Sequence, residues 1–185
     1  MLNWLKRNLY LVYFVAAFVA LSLVIVPIYN TVNALGNTES SEYQMLLWMN
    51  LANYVCIAIA EIIFIVLASR RDLDKTLLMC AIILFFASDV LVDVYRIIEY
   101  QEYSAIYYIL IDVALIIFMI MSLTNRRYFL STVIILLMRA ATSLLGTFTG
   151  SSIELSKLIL DFMLLFAIYF YGNYNQIDDN YNTYS

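Results

Sequence analysis

The sequence predicts an all-α, polytopic membrane protein: a bundle of about six transmembrane helices with the N- and C-termini cytoplasmic. Three observations carry this. Hydrophobic residues make up 64% of the chain and charged residues 13%, whereas a soluble domain carries about 25% charged residues. The apolar residues are gathered into blocks of roughly twenty, the length a helix needs to cross a hydrocarbon core about 30 Å thick. The short connections between blocks alternate between basic and acidic along the chain.

The first span, 9–29, follows Lys6 and Arg7. Val32-Asn33-Ala34 loosely matches a signal-peptidase site. The apolar run from Leu9 to Tyr29 is longer than the roughly 7–15 residues of a signal-peptide core, so it reads as an uncleaved helix. Pro27 is expected to break this span. The second span, 44–68, carries a stripe of Asn50, Asn53 and Glu61. Arg70, Arg71 and Lys75 separate it from the third, 76–98, where Asp89, Asp93 and Arg96 share one helix side. Glu99 and Glu102 lead into the fourth, 104–124, which holds Asp112. Arg126 and Arg127 precede the fifth, 128–148, where Thr142, Ser143 and Gly146 lie on the side of Arg139. The sixth, 153–172, places Lys157 and Asp161 at i, i+4. These spans form one domain, 1–172, and residues 173–185 read as a short polar cytoplasmic tail rich in Asn and Tyr.

Lys6, Arg7, Arg70, Arg71, Lys75, Arg126 and Arg127 fall at one set of span ends. Glu39, Glu42, Glu99, Glu102 and Glu154 fall at the other, without lysine or arginine. The positive-inside bias makes the basic set cytoplasmic and the protein a multi-pass component of the cell membrane. Trp4, Tyr10 and Tyr128 mark the inner interface, and Trp48, Tyr100, Tyr103 and Tyr107 the outer one.

Composition removes several functions. A net charge of −4 leaves no basic footprint for nucleic acid. The chain has no histidine, which removes imidazole metal sites and Ser-His or Cys-His catalysis. Cys56 and Cys80 sit in apolar runs and read as small buried residues, not as a disulfide or metal pair. No cofactor, metal or catalytic set is expected. The expected partners are the lipid bilayer and a membrane-protein partner or a second copy of the chain.

Glu61, Asp89, Asp93, Arg96, Asp112, Arg139, Lys157 and Asp161 fall within the spans. Each costs on the order of 2.5–3.5 kcal/mol at a helix centre, so they are expected to face inward and find partners. Counting from the span ends at about 1.5 Å per residue puts Asn53, Asp89, Asp112, Arg139 and Asp161 in one layer, slightly outside the midplane. Asn53, Asp89, Asp93, Asp112, Arg139 and Asp161 are therefore candidates for binding a ligand or ion. Glu61, deeper and without a cation near it in sequence, is the proton-relay candidate. Ile109-Leu110-Ile111-Asp112 echoes Leu158-Ile159-Leu160-Asp161, and Asp89 and Arg139 precede these two aspartates by nearly equal intervals. Spans three–four and five–six thus read as related hairpins.

Transport of an ion or small polar solute, or an accessory role in a transport system, leads on this pattern. The scarcity of helix breakers, four glycines and one proline, weighs against an alternating-access machine built on broken helices. The first alternative is a non-catalytic structural, regulatory or immunity-type membrane protein whose charges only fix helix packing. The second is an intramembrane enzyme using paired aspartates such as Asp89 and Asp112. Phe86-Ala87-Ser88-Asp89-Val90-Leu91 resembles the aspartate-bearing helices of lysoplasmalogenase-like membrane proteins. Ser88 stands where that pattern has glycine and the histidine is missing, so the resemblance does not assign the chain.

Overall fold

The computed structural model describes the backbone of residues 2–37, 41–148 and 152–182, and the side chains of 8–37, 43–144, 148 and 152–171. Trp4, Lys6, Arg7, Glu39, Glu42, Gly146 and the tail side chains lie outside the described set. The elements are helices α1 (Leu2–Asn37), α2 (Ser41–Arg70), α3 (Lys75–Tyr100), α4 (Ala105–Thr124), α5 (Phe129–Phe148) and α6 (Ser152–Asn182), with a 3-10 turn at Arg126–Tyr128 before α5. No strand occurs among the described residues. Five helices, α1 to α5, are long and apolar enough to cross a membrane. α6 carries Glu154, Lys157 and Asp161 in its first three turns.

Two helices outrun their sequence boundaries. α1 is continuous through Pro27, which does not break it. A proline removes one backbone hydrogen bond, and a helix without water around it has no better place to put the rest. The backbone of α6 stays helical through Asn182, so the polar segment after Tyr171 continues this helix instead of leaving it. No proline stands there to stop it.

The connections are short and locally determined. The Asp74 side chain caps α3 by accepting from the Leu77 backbone N–H at 2.9 Å, satisfying one of the amides a helix start leaves open. α3 ends on Gln101 in the left-handed conformation, φ 54°, whose N–H returns to the carbonyls of Arg96 and Ile97. Asn125 accepts from the Arg127 N–H at 3.0 Å and so turns the chain from α4 towards α5. Long helices joined by such short turns pack as antiparallel neighbours.

Each helix packs on the next in sequence, and α1 also packs on α6, closing a ring. Ala17 and Ala20 of α1, Ala60 of α2 and Ala167 of α6 are fully buried. Small side chains of this kind let backbones approach closely where two apolar surfaces gain nothing from water. The interior is filled by Phe64, Phe85, Phe86, Leu115, Met119, Leu160 and Leu164. The outside carries Phe14, Phe18, Leu110, Ile117, Leu137 and Phe166. A surface this apolar on every side fits hydrocarbon, not water. Cys80 belongs to that outer surface, against the expectation that it is buried, and Cys56 is half-buried; both are free thiols.

The ends of the bundle differ in charge. Arg70, Arg71 and Lys75 flank the α2–α3 turn, and Arg126 and Arg127 the α4–α5 turn. Glu99 and Glu102 flank the α3–α4 turn, with Glu154 in the first turn of α6. These are called the basic end and the acidic end below.

Candidate functional site

Arg139 of α5 is the centre of the polar interior. Its Nη2 donates to Asp89 Oδ2 of α3 at 2.5 Å, its Nε to Asp112 Oδ1 of α4 at 2.8 Å, and its Nη1 to Asp161 Oδ1 of α6 at 2.6 Å. One guanidinium thus ties three carboxylates from three helices, each on a different nitrogen. Only arginine offers donors spread in a rigid plane for this. The side chain is 6% exposed. The Phe85 and Phe86 rings flank the same group, with centroids 4.6 and 4.8 Å from its Cζ. Cation–π contacts in a desolvated place are worth roughly 2 kcal/mol.

The second oxygen of Asp89 extends the network. Oδ1 accepts from Asn53 Nδ2 of α2 at 2.7 Å and from Lys157 Nζ of α6 at 2.8 Å. The Ser88 hydroxyl lies 3.1 Å from Asn53 Oδ1 and 2.9 Å from the Phe85 carbonyl, and its single proton serves one of them. The amide of Asn53 therefore sits between a donor and an anion, as its two ends require. Five helices, α2 to α6, meet through this one set of side chains.

A cavity of about 490 Å³ runs from these residues towards the acidic end. Its inner wall holds Asn53, Asp89, Asp112, Arg139 and Lys157, and its mouth holds Arg96, Glu102 and Glu154. Asn50, Tyr54, Asp93, Tyr108 and Thr142 form its sides. Its size falls within the roughly 300–1,000 Å³ common for small-molecule sites. In all, five carboxylates and three cations line it.

The structure brings together Asn53, Asp89, Asp112, Arg139 and Asp161, the residues placed in one layer by counting from the span ends. Asp93 lines the same cavity but stands apart from the Arg139 cluster, with Arg96 Nη1 at 3.4 Å. Glu61 stands apart from both. It is fully buried, and Oε1 accepts from the Ser156 hydroxyl of α6 while Oε2 has no partner among the described residues. Lys157 pairs with Asp89, and more loosely with Glu154 at 3.9 Å, not with Asp161 as the i, i+4 spacing implied. Side chains lean towards the N-terminus of their helix, which carries the lysine away from a residue one turn later.

Several participants were not legible beforehand. Ser88 adjoins Asp89 and is visible as a polar neighbour. Phe85 and Phe86 look like any core aromatic, and nothing local marks them as the walls of a guanidinium site. Ser156 lies 95 residues from Glu61 in sequence. Of the two hairpins read from the sequence, Arg139 in the second joins Asp112 of the first to Asp161 of its own.

No known protein family, curated protein or solved structure matches this chain. The geometry of the cavity and of the Arg139 cluster therefore carries the functional reading.

Proposed function

We propose that the chain is a six-span protein of the cell membrane with both termini in the cytoplasm. Its cavity is an outward-facing site for an ion or small polar solute, used in transport by this protein alone or as an accessory subunit of a transport system. The observation that carries the reading is the cavity itself, with its charged walls and a floor at the junction of five helices. Ionisable groups so deep in a lipid-exposed bundle are functional by default, because they are costly to keep. The orientation rests on the basic end, which the positive-inside bias assigns to the cytoplasm and which leaves the cavity mouth outside. With its 31 residues, α6 is long enough to be the sixth span.

The test is a concentration jump on reconstituted protein adsorbed to a solid-supported membrane. Sodium, potassium and methylammonium chlorides are applied in turn. A transient current with at least one of them is expected, and Asp112→Asn is expected to abolish it while the protein still inserts. Absence of current with all of them contradicts transport of a small cation by this protein alone.

A second reading has its own supporting observation. All three donor nitrogens of Arg139 are occupied, as they would be in a clip that only fixes helix packing in a structural, regulatory or immunity-type protein. On that reading Asp112→Asn and Arg139→Ala lower membrane abundance together and no solute current exists to be lost.

A further inference from the structure

We propose that the cavity takes a small organic cation, which binds Asp112 in place of the Arg139 guanidinium while Arg139 turns fully onto Asp161. This rests on the reading of the cavity as an outward-facing binding site and adds the class of its occupant and the movement that admits it.

The first argument is charge. Asp89, Asp112 and Asp161 share a buried network with Arg139 and Lys157. That network holds one carboxylate more than it has cations, and one monovalent cation balances it. Buried charges demand such balance, because an unpaired one loses its hydration without return. The wider cavity has the same bias, five carboxylates against three cations.

The second argument is which groups are spent. Lys157 is committed to Asp89, and every donor nitrogen of Arg139 to an aspartate. Acceptors are less used. Among the described residues Asp93 meets a 3.4 Å contact from Arg96, and Glu102 a 3.4 Å contact from Ser104. An incoming donor has partners here, whereas an incoming anion at the inner wall meets Arg139 and Lys157 already engaged and finds its lightly held cation, Arg96, at the mouth.

The third argument separates an organic cation from a metal ion. Among the described residues no three carboxylates come close enough to hold a metal. The carboxylates are spread along the cavity, with Tyr54 and Tyr108 in its walls. Spread anions and aromatic rings suit an alkylammonium or guanidinium group.

The fourth argument is the path for Arg139. Asp112 lines the cavity and Asp161 does not. Asp161 is fully buried, and its Oδ2 has no partner among the described residues. Arginine binds one carboxylate best through two parallel N–H···O contacts, and Asp161 offers the vacant second oxygen. Moving Arg139 off Asp112 and onto both oxygens of Asp161 satisfies Asp161 and frees Asp112 for the ligand.

The experiment is a calorimetric titration of the full chain in lipid nanodiscs with methylguanidinium chloride, against sodium acetate at matched ionic strength. Saturable binding of methylguanidinium and none of acetate is expected. Asp112→Asn is expected to weaken it by about tenfold or more, the loss of a charge-assisted contact. Asp161→Asn is expected to weaken it as well, although Asp161 is not in the cavity wall; a purely structural role would lower the unfolding temperature and leave the affinity unchanged. Glu102→Gln, an exposed change at the mouth, is expected to weaken binding severalfold without affecting folding. Absence of saturable methylguanidinium binding to the unaltered chain overturns the inference, as does an affinity unchanged in both Asp112→Asn and Glu102→Gln. Thiol labelling of Thr142→Cys from outside reports separately on the cavity. If that position is labelled and methylguanidinium does not bind, the occupant class fails and the site stands; if it is not labelled, the site fails too.

Discussion

Asp161 holds Arg139 through one oxygen only: Oδ1 accepts from Nη1 at 2.6 Å, while Oδ2, equally buried, has no partner among the described residues. Every other carboxylate on Arg139 lines the cavity, and Asp161 lies outside its wall. Arg139 is thus shared between an accessible side and a closed one. This asymmetry makes the cluster more than a count of ion pairs.

Removing Arg139 should expose how the cluster is balanced. Arg139→Ala leaves three buried aspartates without their common cation, and breaking a buried ion pair by deleting one partner costs about 3–5 kcal/mol. Adding Asp112→Asn and Asp161→Asn to that variant should recover part of the loss, because the excess charge is gone. Thermal unfolding in detergent checks the order: single variant least stable, triple variant intermediate, natural sequence highest.

Arg139→Lys keeps the charge but not the planar fork, so it cannot reach Asp89, Asp112 and Asp161 with the same geometry. Stability between that of the natural chain and of Arg139→Ala is expected. A Lys variant as stable as the natural protein would mean that charge alone organises the helices.

Phe85 and Phe86 should matter through the guanidinium as well as through packing. Phe85→Leu is expected to lower stability by roughly 1–3 kcal/mol. A double-mutant cycle with Arg139→Met isolates the cation–π part, and a coupling of about 0.5 kcal/mol or more is expected. No coupling would assign Phe85 to ordinary core packing.

The Glu61–Ser156 pair should respond unevenly. Glu61→Gln keeps an acceptor for the Ser156 hydroxyl and nearly the same volume, so a small change is expected. Ser156→Ala leaves a fully buried carboxyl without its donor, at a cost of about 1–3 kcal/mol. Unfolding temperatures of the two variants, measured side by side, check the ranking.

Gln101 adopts φ 54° at the end of α3, where a non-glycine residue pays about 1–2 kcal/mol. Gln101→Gly should therefore stabilise modestly, by roughly 0.5–1 kcal/mol after the entropy of the more flexible unfolded chain is counted. A lowered unfolding temperature would show that the Gln101 side chain makes up for the strain.

Much of this was legible in the sequence for a simple reason. Counting from the ends of helical runs of similar length puts Asn53, Asp89, Asp112, Arg139 and Asp161 at nearly one level, and these five side chains meet in one hydrogen-bonded network. Helical spacing likewise showed that Asp89, Asp93 and Arg96 face one way. Depth and face do not say which side chain grips which. Lys157 crosses to Asp89 and not to Asp161, because a long side chain leans towards its helix N-terminus and reaches a neighbour. Ser156 meets Glu61 only because α6 packs across the ring. Pro27 was read as a break, but the helix absorbs the one bond it loses. Cys80 was read as buried because an apolar run does not reveal which side faces lipid.

The most direct test of the central claim, that the cavity above Arg139 opens to the outside, is thiol accessibility in intact cells. Thr142 lines the cavity on α5, while Leu110 is exposed on the outer surface of α4. In a background with Cys56→Ala and Cys80→Ala, Thr142→Cys and Leu110→Cys are each treated with a membrane-impermeant cationic methanethiosulfonate added outside. Thr142→Cys is predicted to react and Leu110→Cys, facing hydrocarbon, not to. A Thr142→Cys that stays unreacted from outside, or reacts only when the reagent reaches the cytoplasmic face, would contradict the account.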